Sequence, residues 1–358
     1  MNSTQFPIAS EFDIIRPGKG FTMKGWDFTS AEVAAALAQG RMLNTAFELG
    51  SNVCPRKCPF CFTEAPDNMV GTKRRLEGEM EIEERTGLID EAAALGARSI
   101  NFVGAGEPTI DQHFFEIVKR ISDQGMVPII YSEGALMLKD AAFAADLYAL
   151  GATVVLKVNS LWNREYQNAV VGGGPGDYFA ERNRALEVLM AAGFNRHDPT
   201  SLAVDTIMCK ENLSEIPGLH RFARENNIFL MLVDFIPAGR SSNPIQNMVS
   251  DRERLALLET IARMDVEDYG ISHRTIFPYS GGVPCTIRGL GLYVKIQGDA
   301  WDCPGETERL GNVRQQSLKE LWEKAAHVRN RFDGRCLPKE RFREQHSLHS
   351  KRRLPTIR

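Results

Sequence analysis

From about residue 80 the apolar positions change period at regular intervals. The run "EIEERTGLIDEAAALGA" has helical spacing and leads into the apolar "SINFVG". Likewise "FFEIVKRISDQG" leads into "VPIIYSEG", and "DAAFAADLYALGA" into "TVVLKVNS". After a glycine-rich stretch, "YFAERNRALEVLMAAG" leads into "LAVDTIM", and "EIPGLHRFARENN" into "IFLMLVDFIP". Each helical run stops near Gly or Asn, the residues that tolerate a left-handed C-terminal cap. Helices alternating with short β-branched or apolar runs predict βα units and a parallel sheet or barrel. One further strand fits "TAFELG", just before Cys54. About six strands are then predicted between residues 45 and 240, whereas a closed βα barrel has eight. The expected class is α/β, a partial (β/α)6 TIM-like barrel open on one side. Its ligands belong at the C-terminal strand ends.

Beyond the barrel, "DRERLALLETIARM" reads as a helix. The stretch "CTIRGLGLYVKIQGDAWDC" then alternates apolar and polar residues around a Gly-Asp turn, the pattern of a β-hairpin. The helical run "SLKELWEKAAHVRNRF" follows. The expected organisation is an N-terminal extension (1–44), the barrel (45–270), a small hairpin-and-helix domain (271–340) and a basic tail (341–358).

Composition narrows the class without naming a function. The 358 residues are 43% hydrophobic and 25% charged, values that support a sizeable core. A formal net charge of -3 does not argue for nucleic acid or an anionic membrane as the main partner. The start "MNSTQFPIASEF" lacks a basic and apolar signal sequence. The run "IFLMLV" is far shorter than the roughly 18–20 residues that span a bilayer. The expected location is therefore the reducing cytoplasm, where clustered cysteines bind metal or do chemistry rather than form disulfides.

Three of the seven cysteines, Cys54, Cys58 and Cys61, fall within "CPRKCPFC" on the loop after the first strand. A cubane iron–sulfur cluster takes four ligands, usually thiolates. No fourth cysteine or histidine occurs between Cys61 and Cys209 except His113 and His197, which lie away from the loop in sequence. Three thiolates on a cubane leave one iron open to a small molecule. A structural zinc knuckle, or three unrelated buried cysteines, are the competing readings. The aromatic Phe60 directly before the third cysteine narrows the choice.

The pattern C-x3-C-x-aromatic-C resembles the signature of the radical S-adenosylmethionine (radical SAM) superfamily. The resemblance implies a [4Fe–4S] cluster on Cys54, Cys58 and Cys61, whose open iron is chelated by S-adenosylmethionine. It also implies reductive cleavage of that cofactor to a 5′-deoxyadenosyl radical, which takes a hydrogen atom from the substrate. A flavodoxin- or ferredoxin-type electron donor would supply the electron. Gly104-Ala105-Gly106-Glu107 resembles the family's glycine-glycine-glutamate motif, with Ala105 in place of one glycine, and Glu107 would face the cofactor's ammonium group. By the same resemblance Phe60, Ser132, Lys157, Asn159 and Asp205 are cofactor contacts. Glu133, Ser160, Asn212 and the "FIPAGR" segment ending at Arg240 lie at similar strand ends.

Cys285, Cys303 and Cys336 come after the barrel, in the pattern C-x12-G-x4-C with Gly298 at the turn. This resembles the SPASM or shorter Twitch extension, which implies auxiliary clusters. Too few cysteines remain for two, so one auxiliary [4Fe–4S] cluster on Cys285, Cys303 and Cys336 is the economical expectation. Its fourth ligand is left open among Cys209, an Asp or His, and the substrate. Cys209 is also a candidate catalytic hydrogen-atom donor. The expected substrate is a small polar metabolite of sugar, aminocyclitol or nucleoside type, with Glu64, Glu133, Lys157, Asp205 and Arg240 as polar contacts. About 45 residues precede the barrel, and the expectation is that these are too few for a separate leader-peptide-binding domain. The alternative is a SPASM-type peptide or protein side-chain maturase.

Overall fold

The computed structural model describes residues 19–64, 71–172, 176–242, 248–271, 287–330, 336, 338–340 and 344. A helix, α1 (Ser30–Gln39), precedes strand β1 (Asn44–Phe47). There follow α2 (Ile82–Ala94), β2 (Ser99–Phe102), α3 (Phe114–Asp123), β3 (Val127–Ser132), α4 (Ala141–Ala149) and β4 (Thr153–Lys157). Next come α5 (Arg164–Ala169), α6 (Tyr178–Ala192), β5 (Leu202–Ile207), α7 (Ile216–Glu225), β6 (Phe229–Val233) and α8 (Asp251–Tyr269). The alternation read from the apolar pattern is thus present, element by element.

Strands β1 to β6 pair in parallel and in chain order, each beside the next. Side chains alternate across a strand, and this decides where the core sits. Ile130, Val154, Leu156, Val204, Leu230 and Leu232 join the layer shared with the helices. Their neighbours Ile129, Val155, Ala203 and Met231 form a separate inner cluster. This is a partial (β/α)6 barrel, with helices outside and a lined interior.

The inner cluster is completed by Met23 and Trp26, from a segment that the periodic pattern did not predict. Met23 bridges to Thr200, Lys24 N–H donates to the Thr200 carbonyl at 2.8 Å, and the Trp26 indole donates to Asn101 Oδ1 at 3.0 Å. These residues plug the end of the barrel opposite the cysteine loop.

The hairpin read from "CTIRGLGLYVKIQGDAWDC" is also present. After α9 (Ile287–Leu290), β7 (Tyr293–Val294) pairs antiparallel with β8 (Asp299–Trp301), which pairs with β9 (Arg309–Asn312). The helical run beyond it divides into α10 (Leu318–Lys324) and α11 (Ala326–Asn330). Strand β7 also pairs in parallel with β1. Hairpin and barrel therefore share one sheet of order β6-β5-β4-β3-β2-β1-β7-β8-β9 among the described residues. The basic tail lies almost wholly outside the described residues. No described helix is long and apolar enough to cross a membrane.

Replacing Trp26 by Ala removes a large inner side chain and strands the Asn101 acceptor. We expect a loss of about 3–5 kcal/mol of unfolding free energy, read by urea denaturation. A loss below about 1 kcal/mol would show that the plug is not part of the cooperative core.

Candidate active site

The cysteine loop has no regular structure of its own, so other segments hold it. Cys54 and Lys73 exchange backbone hydrogen bonds at 3.3 and 3.1 Å. Lys57 N–H donates to the Val171 carbonyl at 3.0 Å. Arg240, beyond β6, donates its backbone N–H to the Cys61 carbonyl at 2.9 Å. Its guanidinium meets the Cys58 carbonyl at 3.3 Å, the Gly71 carbonyl and the Glu64 carboxylate. Arg240 and Glu64, read from sequence as substrate contacts, form a buried ion pair at 3.3 Å and serve the loop.

The thiols are close enough to act on one another. Burial, then Glu107 and Cys58, push the Cys54 thiol up. Burial, then Cys61, push Cys58 up to about 12, while Lys157 and Arg240 pull it down. Among the described residues, no three Cys, His, Asp or Glu side chains already stand as a closed metal-ligand set. The donor chemistry nevertheless fits an iron–sulfur cluster. Three soft thiols sit on one loop, with Lys73, Lys157 and Arg240 near enough to offset thiolate charge. Phe60 is buried, its ring 6.1 Å from Phe235 and 5.1 Å from the Lys157 ammonium.

The turn after β2 packs against this loop. Gly104 has φ +80°, open to glycine at little cost, and a Cβ at Gly106 would overlap the Val53 carbonyl oxygen. Ala105 is buried and is not among the positive-φ residues, so its methyl group is tolerated there. Its carbonyl accepts from Thr63 Oγ1 at 2.8 Å and from Lys73.

Glu107 is buried and points into the site. Its Oε1 accepts from Ser132 Oγ and Thr109 Oγ1, both at 2.7 Å. Its Oε2 accepts the Glu133 N–H at 2.8 Å. Burial raises its pKa against these bonds. Burial and then Glu107 lift neighbouring Glu133 to about 7, although Arg56 lies 2.9 Å away. Arg56 belongs to the cysteine loop and stacks 4.8 Å from the Tyr178 ring centroid. Among the described residues this gives two buried carboxyls and one ion-paired cation, Arg56. A cationic ligand would complete the balance.

Farther round the barrel, Lys157 and Asp205 are cross-strand partners and form an ion pair at 2.9 Å. Asp205 Oδ1 is buried and has no hydrogen-bond partner among the described residues. Asn159 and Asn212 mostly tie β4 to β5: Ile207 N–H donates to Asn159 Oδ1 at 3.1 Å, and Asn212 Nδ2 donates to the Asn159 and Ile207 carbonyls at 2.9 Å. Ser160 Oγ donates to Glu215. Cys209 is buried in the inner wall with Phe60, Ile207 and Phe235, beside Tyr166. Burial lifts its thiol to about 11, with Tyr166 opposing the shift.

Cys303 and Cys336 come together in a second place. They line one apolar cavity of about 30 Å³ with Ile236, Ile287, Arg288 and Lys339. Burial, Asp302 and, further down, Cys336 push the Cys303 thiol up to about 12. Asp302 is engaged by Arg288 at 2.8 Å and by the Glu308 N–H at 3.0 Å. Cys285 lies outside the described residues, and Cys209 does not line this cavity. Sequence reasoning missed Arg56, Lys73 and Tyr178. Their charge or hydroxyl is ordinary in sequence, and only long-range packing gives it a role.

Residues 49–223 match the sequence model of the Radical SAM superfamily. The chain therefore carries a Radical SAM domain, the domain of a superfamily of enzymes. It is 25% identical to the AdoMet-dependent heme synthase of Methanosarcina barkeri over 72% of this chain and 79% of that protein. It is 26% identical to the S-adenosylmethionine-dependent nucleotide dehydratase of Flammeovirga pacifica over 45% of this chain, spanning 52% of that protein. The structure of Streptococcus suis SuiB bound to precursor peptide SuiA matches with TM-score 0.60 at 15% identity, over 84% of this chain and 70% of that one. That likeness concerns the fold. A Radical SAM domain implies a [4Fe–4S] cluster, S-adenosylmethionine, a substrate and a source of electrons.

Glu107→Gln keeps the shape of the site and removes one buried negative charge. We expect unchanged iron content and about 10- to 100-fold weaker S-adenosylmethionine binding, the size of one charged hydrogen bond (about 1.5–3 kcal/mol). Equilibrium dialysis of the reconstituted protein reads this directly, and unaltered affinity would refute the role assigned to Glu107.

Proposed function

We propose that the enzyme abstracts a hydrogen atom from a small polar metabolite of sugar, aminocyclitol or nucleoside type. Dehydrogenation, epimerisation or group elimination would follow. The observation that carries this reading is Asp205 Oδ1, a buried carboxylate oxygen beside the Lys157 ammonium that has no hydrogen-bond partner among the described residues. A ligand hydroxyl or amine satisfies such an acceptor, whereas an apolar side chain would leave its desolvation cost uncompensated. The sequence relatives named as a heme synthase and a nucleotide dehydratase fit a metabolite reading. The SuiB likeness keeps peptide maturation as the alternative.

Cys54, Cys58 and Cys61 would hold the cluster, and Glu107 the cofactor's ammonium group. When bound, the cluster and cofactor would together supply the radical chemistry that begins with reductive cleavage of S-adenosylmethionine. Lys157 and Asp205 would meet the cofactor's carboxylate and ribose or a substrate hydroxyl. Phe60 and the apolar inner wall would exclude water. Burial keeps Cys209 as a thiol at neutral pH, the form required of a hydrogen-atom donor in an epimerisation. Cys285, Cys303 and Cys336 would hold one auxiliary cluster. The electron donor would be of flavodoxin or ferredoxin type.

Anaerobically reconstituted protein should hold about eight irons, two cubanes of four. Replacing Cys54, Cys58 and Cys61 together by Ala should leave about four and abolish S-adenosylmethionine cleavage. Full cleavage by that variant would end the assignment. Replacing Cys303 or Cys336 by Ala should lose substrate turnover while cofactor cleavage survives. For the substrate, 5′-deoxyadenosine formation is measured against a panel of hydroxylated metabolites and a panel of peptides. Stimulation by peptides alone would overturn the metabolite reading.

A further inference from the structure

Lys73 touches both ends of the cysteine loop. Its backbone pairs with Cys54, and its ammonium stands 3.9 Å from Cys61 Sγ. The same ammonium donates to Thr63 Oγ1 and to the Ala105 carbonyl. The residue is only 4% exposed. Among the described residues, no carboxylate lies within ion-pair distance of it. A buried ammonium among neutral acceptors is costly unless negative charge stands nearby. Here the nearest chemistry able to supply it is the thiols. Glu48 feels the Lys73 charge only as a lesser influence, behind burial and its own bonds to Tyr293 and Ile296.

We propose that the buried ammonium of Lys73 sets the reduction potential of the iron–sulfur cluster held by Cys54, Cys58 and Cys61. The inference rests on the reading that these three cysteines hold the cluster. On reduction, one electron passes from an external low-potential donor to the cluster, whose net charge falls by one. A fixed positive charge beside a ligand sulfur stabilises the reduced state. An N–H···S contact also withdraws density from that sulfur. Both effects raise the potential. Low exposure preserves the effect, because water does not screen the charge. Thr63 and the Ala105 carbonyl keep the ammonium aimed at Cys61 rather than at solvent. Lys73 is in this sense a positioning residue that acts through the cluster.

The test is a redox titration of the reconstituted full chain, followed by electron paramagnetic resonance without S-adenosylmethionine. The signal absent from the Cys54, Cys58 and Cys61 triple Ala variant identifies the loop cluster. If that variant loses no signal, the cluster assignment itself fails, independently of Lys73. With the signal identified, Lys73→Gln should shift its midpoint to a more negative potential, while Lys73→Arg stays near the native value. An unchanged midpoint in Lys73→Gln overturns the proposal, as does an equal shift in both variants. A Lys73→Gln protein that binds iron at the second site but none at the loop also overturns it, because Lys73 would then be needed for assembly alone.

Discussion

Three thiols within eight residues repel one another once ionised, and the loop that carries them has no hydrogen-bonded repeat to resist that repulsion. The rest of the site is arranged around this constraint. Arg240 reaches the loop from beyond β6, Lys73 from the segment before α2, and Arg56 ties it to Glu133 after β3. Each brings a positive charge and at least one directional bond. The loop is therefore fixed only when the ends of β1, β3 and β6 have been brought together by the barrel.

The same economy of charge shapes the ligand side. Glu107 and Glu133 are buried within mutual influence, and Arg56 is ion-paired to Glu133. Such a site disfavours two carboxylates until a cation arrives, and the S-adenosylmethionine implied by the superfamily is a cation. Farther round the barrel, the Lys157–Asp205 pair is internally neutral but leaves one carboxylate oxygen without a partner among the described residues. One wall thus favours positive charge and the other a hydrogen-bond donor. A polar, partly cationic pair of ligands would meet both demands.

The hairpin changes how the two cysteine groups are related. Because β7 continues the barrel sheet beside β1, Tyr293 lies in the same packed group as Cys303 and Phe62. Its ring is 6.4 Å from that of Phe62, next in sequence to Cys61, and its hydroxyl donates to buried Glu48. The second cysteine pair is attached to the first loop through the shared sheet and the Tyr293–Phe62 ring contact. A movement of the hairpin would therefore be felt at the cysteine loop.

The apolar periods of the chain determine the βα alternation, because a helix or a strand with one face toward the core must repeat at about 3.6 or 2 residues. The spacing of Cys54, Cys58 and Cys61, with Phe60, was equally legible, since ligands on one short loop are local in sequence. So was the pairing of Gly104 and Gly106 with Glu107. Tertiary structure alone decided the rest. Met23 and Trp26 plug the barrel without any periodic signal, because a plug is irregular backbone shaped by the cavity it fills. Glu64 and Arg240 became each other's partners, and Arg56 and Lys73 acquired roles beside the thiols. An isolated charge in a sequence carries no record of its partner. That partner is chosen by burial, when the cost of desolvation forces the charge to find one.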